Sequence, residues 1–98
     1  MTYLENQIKS LSYTIARIES DRNYNQIKVE RWHRNGEKDF PPTCLRHFCS
    51  DMNVRYKQSN AYKCYEHAMF NAGAVIWNIK RMIDDIKFEI ELENRLGY

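Results

Sequence analysis

Two stretches of the chain repeat apolar residues with a helical period. In the first, Leu4, Ile8, Leu11, Ile15 and Ile18 are separated alternately by four and three positions, which is a heptad seam. Glu5, Asn6, Lys9, Ser10, Arg17 and Glu19 fall between them, so the apolar stripe is narrow and suits a helix packed at a shallow angle on one neighbour. Past Ile18 the seam meets Arg22 and Asn25, then resumes out of phase with Ile27 and Trp32. That shift predicts a bend or a change of partner between residues 20 and 26. In the second stretch Met69, Ala72, Ile76, Ile79, Ile83, Ile86 and Ile90 hold the alternation without a miss. A flanking line of Val75, Met82 and Leu92, with Phe88 nearby, predicts a wider face of the kind that lines a globular core.

The segments between are set by their breakers. In "RNGEKDFPPT", Gly36 suits the residue just beyond a helix end, and Pro41-Pro42 cannot continue a helical ladder. Thr43 stands where an N-cap belongs, ahead of Leu45, Phe48 and Met52 at helical spacing. The pattern therefore predicts helices over 2–33, 43–52 and 61–94, with a turn at 35–42 and a joint at 53–60 closed by Ser59 or Asn60. "SDMNVRYKQSN" shows no strong breaker within it. In "NAGAV", Gly73 between Ala72 and Ala74 predicts a point where another helix crosses closely.

The expected fold is all-α. Two long antiparallel amphipathic helices and a short middle helix form a three-helix bundle, or two chains associate into a four-helix-type bundle. The β-branched isoleucines on the last seam lean toward the second arrangement, a homodimer. Composition agrees with helices: the 98 residues hold only three glycines and two prolines, too few for the turns of a β-rich fold. A length of 98 residues is that of one domain, 1–98. No apolar run approaches the roughly 20 residues that a span requires, so no membrane association is expected. "MTYLENQIKSLSY" lacks the apolar block of a secretory signal, and three cysteines are an odd number, so a cytoplasmic setting with free thiols is expected.

Formal charge is +2, but it is unevenly spread. From Arg22 to Lys63 nine basic residues face four acidic ones, whereas from Asp84 onward five acids face two bases. The basic middle also carries aromatics, in "YNQIKVERWHRNGEKDF" and "RYKQSNAYK". Cations on phosphates with rings under bases hold nucleic acid, which makes Arg31, Arg34, Lys38, Arg46, Arg55 and Lys57 candidates for contacting nucleic acid or an acidic protein. Four acids interspersed among them weaken the nucleic-acid reading. Tyr24, Trp32, Tyr56 and Tyr62 are candidates for a protein interface, because Tyr, Trp and Arg are enriched where partners bind most tightly.

One constellation has metal-ligand chemistry. Cys44-x2-His47 and Cys64-x2-His67 each place a thiol and an imidazole one helical turn apart, together a Cys2His2 set for a structural zinc. It would pin the short helix to the start of the last one. The competing and favoured reading is packing, because free cysteine is a common core residue, Cys49 has no partner histidine, and neither Cys-x2-Cys nor His-x3-5-His occurs. No phosphate-cradling glycine loop, nucleophile elbow or His-Glu-x-x-His is present, so no catalytic residues and no enzyme are expected. The chain reads as a small helical binding protein that regulates or inhibits another macromolecule. The alternatives are a nucleic-acid-binding accessory protein and a structural coiled-coil oligomer. In size and style it resembles small phage-encoded inhibitors of host nucleic-acid machinery such as anti-CRISPR proteins, a likeness carried by no motif.

Overall fold

The computed structural model describes residues 2–97 and contains three α-helices, α1 (Tyr3–Arg34), α2 (Thr43–Asp51) and α3 (Ala61–Leu96). A single 3-10 turn, Gln58–Asn60, leads into α3. The all-α expectation holds, with two long helices and a short middle one. Glu30 near the end of α1 meets Tyr62 at the start of α3, while Ile15 shares a recess with Ile83, so the long helices run antiparallel.

Helix ends follow local chemistry. Thr2 caps α1, its hydroxyl accepting from the Glu5 N–H at 3.2 Å and donating to the Glu5 carboxylate at 3.1 Å. Thr2 is thus a side-chain N-cap that satisfies the Glu5 amide, with the Glu5 carboxylate bonded to the hydroxyl and not to the Thr2 backbone N–H. At the other end Gly36 takes φ +83°, the Gly36 N–H donates to His33 O, and the Glu37 N–H donates to Trp32 O. These two bonds form a Schellman motif, and glycine enters its left-handed position without a Cβ clash. The end of α2 repeats the motif with Asn53 at φ +59°: the Asn53 N–H donates to Ser50 O and the Val54 N–H to Cys49 O at 2.8 Å. The breaker that "SDMNV" lacked on sequence inspection is therefore Asn53, since asparagine tolerates the left-handed region. Two expected caps are absent. Pro42, not Thr43, occupies the N-cap of α2, and Asn60 stands at the N-cap of α3 without a side-chain bond.

The two-helix frame is thickened at one end only. Leu45, Phe48, Cys49 and Met52 turn one face of α2 down onto both long helices, and Val54, Ala61, Tyr65, Ala68 and Ala72 complete the core there. This end is the head. Beyond it α1 and α3 continue alone as a shaft, and the molecule measures 63 × 18 × 17 Å. Its radius of gyration is 17.9 Å, against roughly 12.6 Å for a compact domain of this length. The three-helix bundle is thus real but confined to the head.

The heptad seam of α1 does not change phase. Val29 is wholly buried, Asn25 is 3% exposed and Trp32 is half-buried, so the seam runs through Ile15, Ile18, Arg22, Asn25, Val29 and Trp32 in register. Ile27, expected to resume it, is 60% exposed. What changes at this level is the partner, because α2 joins α3 against α1. Buried Asn25 donates to Asp21 O at 2.9 Å and leaves its own carbonyl oxygen without a partner.

On α3 the isoleucine seam faces α1, with Ile76 and Ile83 buried and Ile79, Ile86 and Ile90 half-buried. The seam that suggested self-association is therefore covered within the chain. The flanking line fares differently: Val75 is half-buried, but Met82, Phe88 and Leu92 are exposed. No third helix reaches this far along the shaft to cover them. Gly73 is not a crossing point either, since a Cβ built there meets nothing within 4 Å.

Candidate interaction surface at the head

The turn between α1 and α2 is held from several sides. Trp32 donates its indole N–H to Asp39 O at 2.8 Å, which ties the loop back onto α1. His33 stacks on Tyr62 with ring centroids 3.7 Å apart, and its Nδ1 lies 2.7 Å from a Glu37 carboxylate oxygen. Glu30 accepts from both Tyr62 OH at 2.8 Å and Tyr65 OH at 3.2 Å, clasping the end of α1 to the start of α3. The hydrogen bond to Glu30, with burial, pushes the Tyr62 phenol up to about 12. Burial, then the Glu30 charge and hydrogen bond, push Tyr65 up as well. Neither Glu30 nor its role was singled out in the sequence, because the residue meets its partners only through tertiary contact.

Phe40 projects from this braced turn. It precedes Pro41-Pro42, is 82% exposed, and lines three recesses that meet around it. The largest, about 490 Å³, lies between Trp32, Lys38 and Gln58. The second, about 360 Å³, lies between Phe40, Arg46 and Tyr56. The third, about 220 Å³, brings Lys28, Arg31 and Lys38 to its other side. An exposed ring on a braced turn, with cations on both flanks, results. The sequence signal for it was an aromatic residue directly before a Pro-Pro pair in a polar segment.

The candidate contact residues separate. Arg31, Lys38 and Arg46 gather around Phe40, while Arg34, Arg55 and Lys57 are exposed elsewhere on the head. Among the aromatic candidates Trp32 and Tyr62 are half-buried braces of the turn. Tyr56 is half-buried with the Arg46 guanidinium 5.5 Å from its ring centroid, and Tyr24 is exposed with Lys28 Nζ at 5.6 Å. The chain's own cations thus lie over rings that would otherwise be open to bases.

The Cys/His quartet is not brought together. Cys44 and His47 line a recess of about 220 Å³ with Asp21, Asn25 and Asp51. Cys64 is buried and points its thiol at Arg55 O, 3.6 Å away, and His67 is exposed. Among the described residues no three His, Cys, Asp or Glu side chains form a metal-ligand group. The reason is rotational: α2 docks through Leu45, Phe48, Cys49 and Met52, which puts Cys44 on its flank and His47 outward. All three cysteines are free. Burial, with a contribution from nearby Cys64, pushes the Cys49 thiol up to about 11, and burial raises Cys44. Neither is thereby an activated nucleophile.

No described helix is long and apolar enough to cross a membrane. Set against family models, curated proteins and solved structures, the chain matches none.

Proposed function

We propose that this protein is a helical binding module that regulates or inhibits another macromolecule by docking its head on an acidic surface of a partner protein, with Phe40 as the anchor. The observation that carries this reading is the exposure of Phe40 on a braced turn between Arg46 on one side and Lys28, Arg31 and Lys38 on the other. A large ring carried on a fixed backbone turn leaves only its own rotamers to be ordered on binding, and arginine is enriched with aromatic residues where partners bind most tightly. The surrounding cations steer approach toward negative charge and select against basic surfaces.

A second reading, nucleic-acid binding through the same cations, draws on the basic patch and on Phe40 as a stacking platform. The occupied faces of Tyr24 and Tyr56 favour the protein partner. One pair of measurements separates the readings. Affinity capture with wild type, Phe40→Ala and Arg46→Glu should show a protein retained by wild type and lost with each variant. Gel shifts on single- and double-stranded DNA and RNA should show no complex. A shift that weakens steeply with salt and disappears in Arg46→Glu transfers the function to nucleic acid. Capture unaffected by Phe40→Ala removes the head from the account.

A further inference from the structure

The back of α3 carries a second heptad register that nothing in the chain covers. Phe70, Ala74, Trp77, Arg81, Asp84, Phe88, Glu91 and Arg95 follow one another at alternating intervals of four and three on the face turned away from α1. Phe70, Trp77 and Phe88 are 75%, 61% and 66% exposed. The amount of uncovered surface is also large. A compact monomer of this mass exposes roughly 5,950 Å², whereas this chain exposes 7343 Å². The excess, about 1,400 Å², belongs to the elongated outline as a whole and leaves room for the roughly 800 Å² that each partner contributes to a standard interface.

The order of residues along this stripe identifies what fits it. Read outward from the midpoint between Met82 and Ile83, the centre of the stripe is antisymmetric in charge, Arg81 on one side answering Asp84 on the other, and Trp77 then answers Phe88. An antiparallel copy centred there sets Arg81 level with Asp84 of the second chain, Trp77 with Phe88, Ala74 with Glu91, and Phe70 with Arg95. A parallel copy sets each charge against itself. Sliding the antiparallel copy by one heptad leaves Asp84 opposite Ala74, or sets it against Phe88 while Arg81 meets Glu91 and Trp77 meets Arg95. Of these three antiparallel registers, only the centred one gives Asp84 a cation and stacks Trp77 on another ring. Opposite charges across helices fix partner and orientation in this way.

We propose that two copies of this chain pair antiparallel through the back face of α3, in the register centred between Met82 and Ile83. The isoleucine seam plays no part in this contact, since it already packs on α1. The two α3 helices lie at the centre of the dimer and the heads face opposite ends. At ~1.5 Å per residue, from the midpoint to the start of each α3, the heads stand roughly 60 Å apart. The dimer is thus bivalent, and a partner with two acidic patches at that spacing is held by both. The contact is separate from the head, so the pairing stands or falls independently of what the head binds.

Sedimentation equilibrium of the full chain tests this with a charge swap. Wild type is expected at twice 11.9 kDa. Arg81→Asp, which sets acid against acid, and Asp84→Arg, which sets base against base, are each expected to be monomeric. The double variant Arg81→Asp/Asp84→Arg, in which the charges are exchanged, is expected to recover the dimer. Phe40→Ala is expected to leave the mass unchanged. Circular dichroism checks that each variant stays helical; should a reversal unfold, Arg81→Gln and Asp84→Asn replace it, each weakening association at least tenfold. A wild-type mass of 11.9 kDa at all concentrations overturns the proposal and leaves the stripe to a different protein. So does a dimer indifferent to the single reversals, or one that the swap fails to restore.

Discussion

The head and the shaft are built from the same two helices, yet they are organised differently. In the head α2 lies across both, and Phe48, Leu45, Val29 and Cys49 are almost wholly enclosed. In the shaft, α1 and α3 meet along a single seam where Ile15 and Ile83 are the deeply buried pair and Leu4, Ile8, Leu11, Ile86 and Ile90 are only half-covered. Two helices can enclose a line of side chains, whereas a third is needed to enclose a volume. The contrast locates stability in the head and leaves surface available in the shaft. It also explains why Trp77 and Phe88 on α3 stay exposed, since no third helix reaches them.

The largest test of this contrast is a matched pair of truncations. Phe48→Ala empties the middle of the head core, and its loss is expected at about 3–5 kcal/mol. Phe88→Ala in the shaft, measured in dilute solution where chains are separate, should change stability by less than about 0.5 kcal/mol. Urea unfolding of the two variants measures both. Equal losses would mean that the shaft is packed as tightly as the head.

A smaller effect tests the clasp that joins the long helices at the head. Tyr62→Phe removes the hydrogen bond to Glu30 and is expected to cost about 1.5–3 kcal/mol at neutral pH, the range for a bond to a charged group. The clasp also has a pH signature. With the Tyr62 phenol at about 12 in the fold, against the 10.0 of an ordinary tyrosine, the unfolded chain gives up its proton first. The native state then binds more protons, so stability falls as pH rises. The contribution is complete below pH 10 and disappears between about 10 and 12. Tyr62→Phe should make the fall of melting temperature with pH across that window shallower, Tyr65 supplying the remainder, whereas a shaft variant should leave the slope intact.

The smallest effect concerns Asn25, where the seam passes from shaft to head. Its buried carbonyl oxygen lacks a partner, and an unsatisfied group of this kind costs about 1–3 kcal/mol. Asn25→Leu is therefore expected to stabilise the chain by about 1 kcal/mol, less than the full penalty because leucine must fit a site shaped for asparagine. A fall in melting temperature would show instead that the bond to Asp21 O organises this junction.

Much of the fold was legible from spacing. The seams of α1 and α3, the glycine at the end of α1 and the proline pair before α2 are local signals, and each element appears within two or three residues of its expected place. The misreadings came where local signals were weak. Ile27 looked like a seam residue because Arg22 and Asn25 interrupted the pattern, yet a continuous helix fixes rotation irrespective of which side chains it carries. Asn53 ended α2 without a glycine or proline to announce it.

The candidate site was less legible. Arg31, Lys38 and Arg46, three of the six candidate cations, lie around Phe40, which was not singled out, and the Cys/His pairs, read first as packing residues and second as a zinc set, are not brought together. Periodicity states which residues share a face of one helix and is silent on how that helix is rotated against another.

The sequence alone determined three helices, their order and the faces of the two long ones, because these follow from intervals of three and four and from backbone-restricting residues. Tertiary structure decided which faces remain uncovered, that Glu30 meets two tyrosines, and that Phe40 stands between two groups of cations. Those outcomes depend on where a nine-residue helix comes to rest along two much longer ones, a balance of packing over the whole head that no local interval encodes.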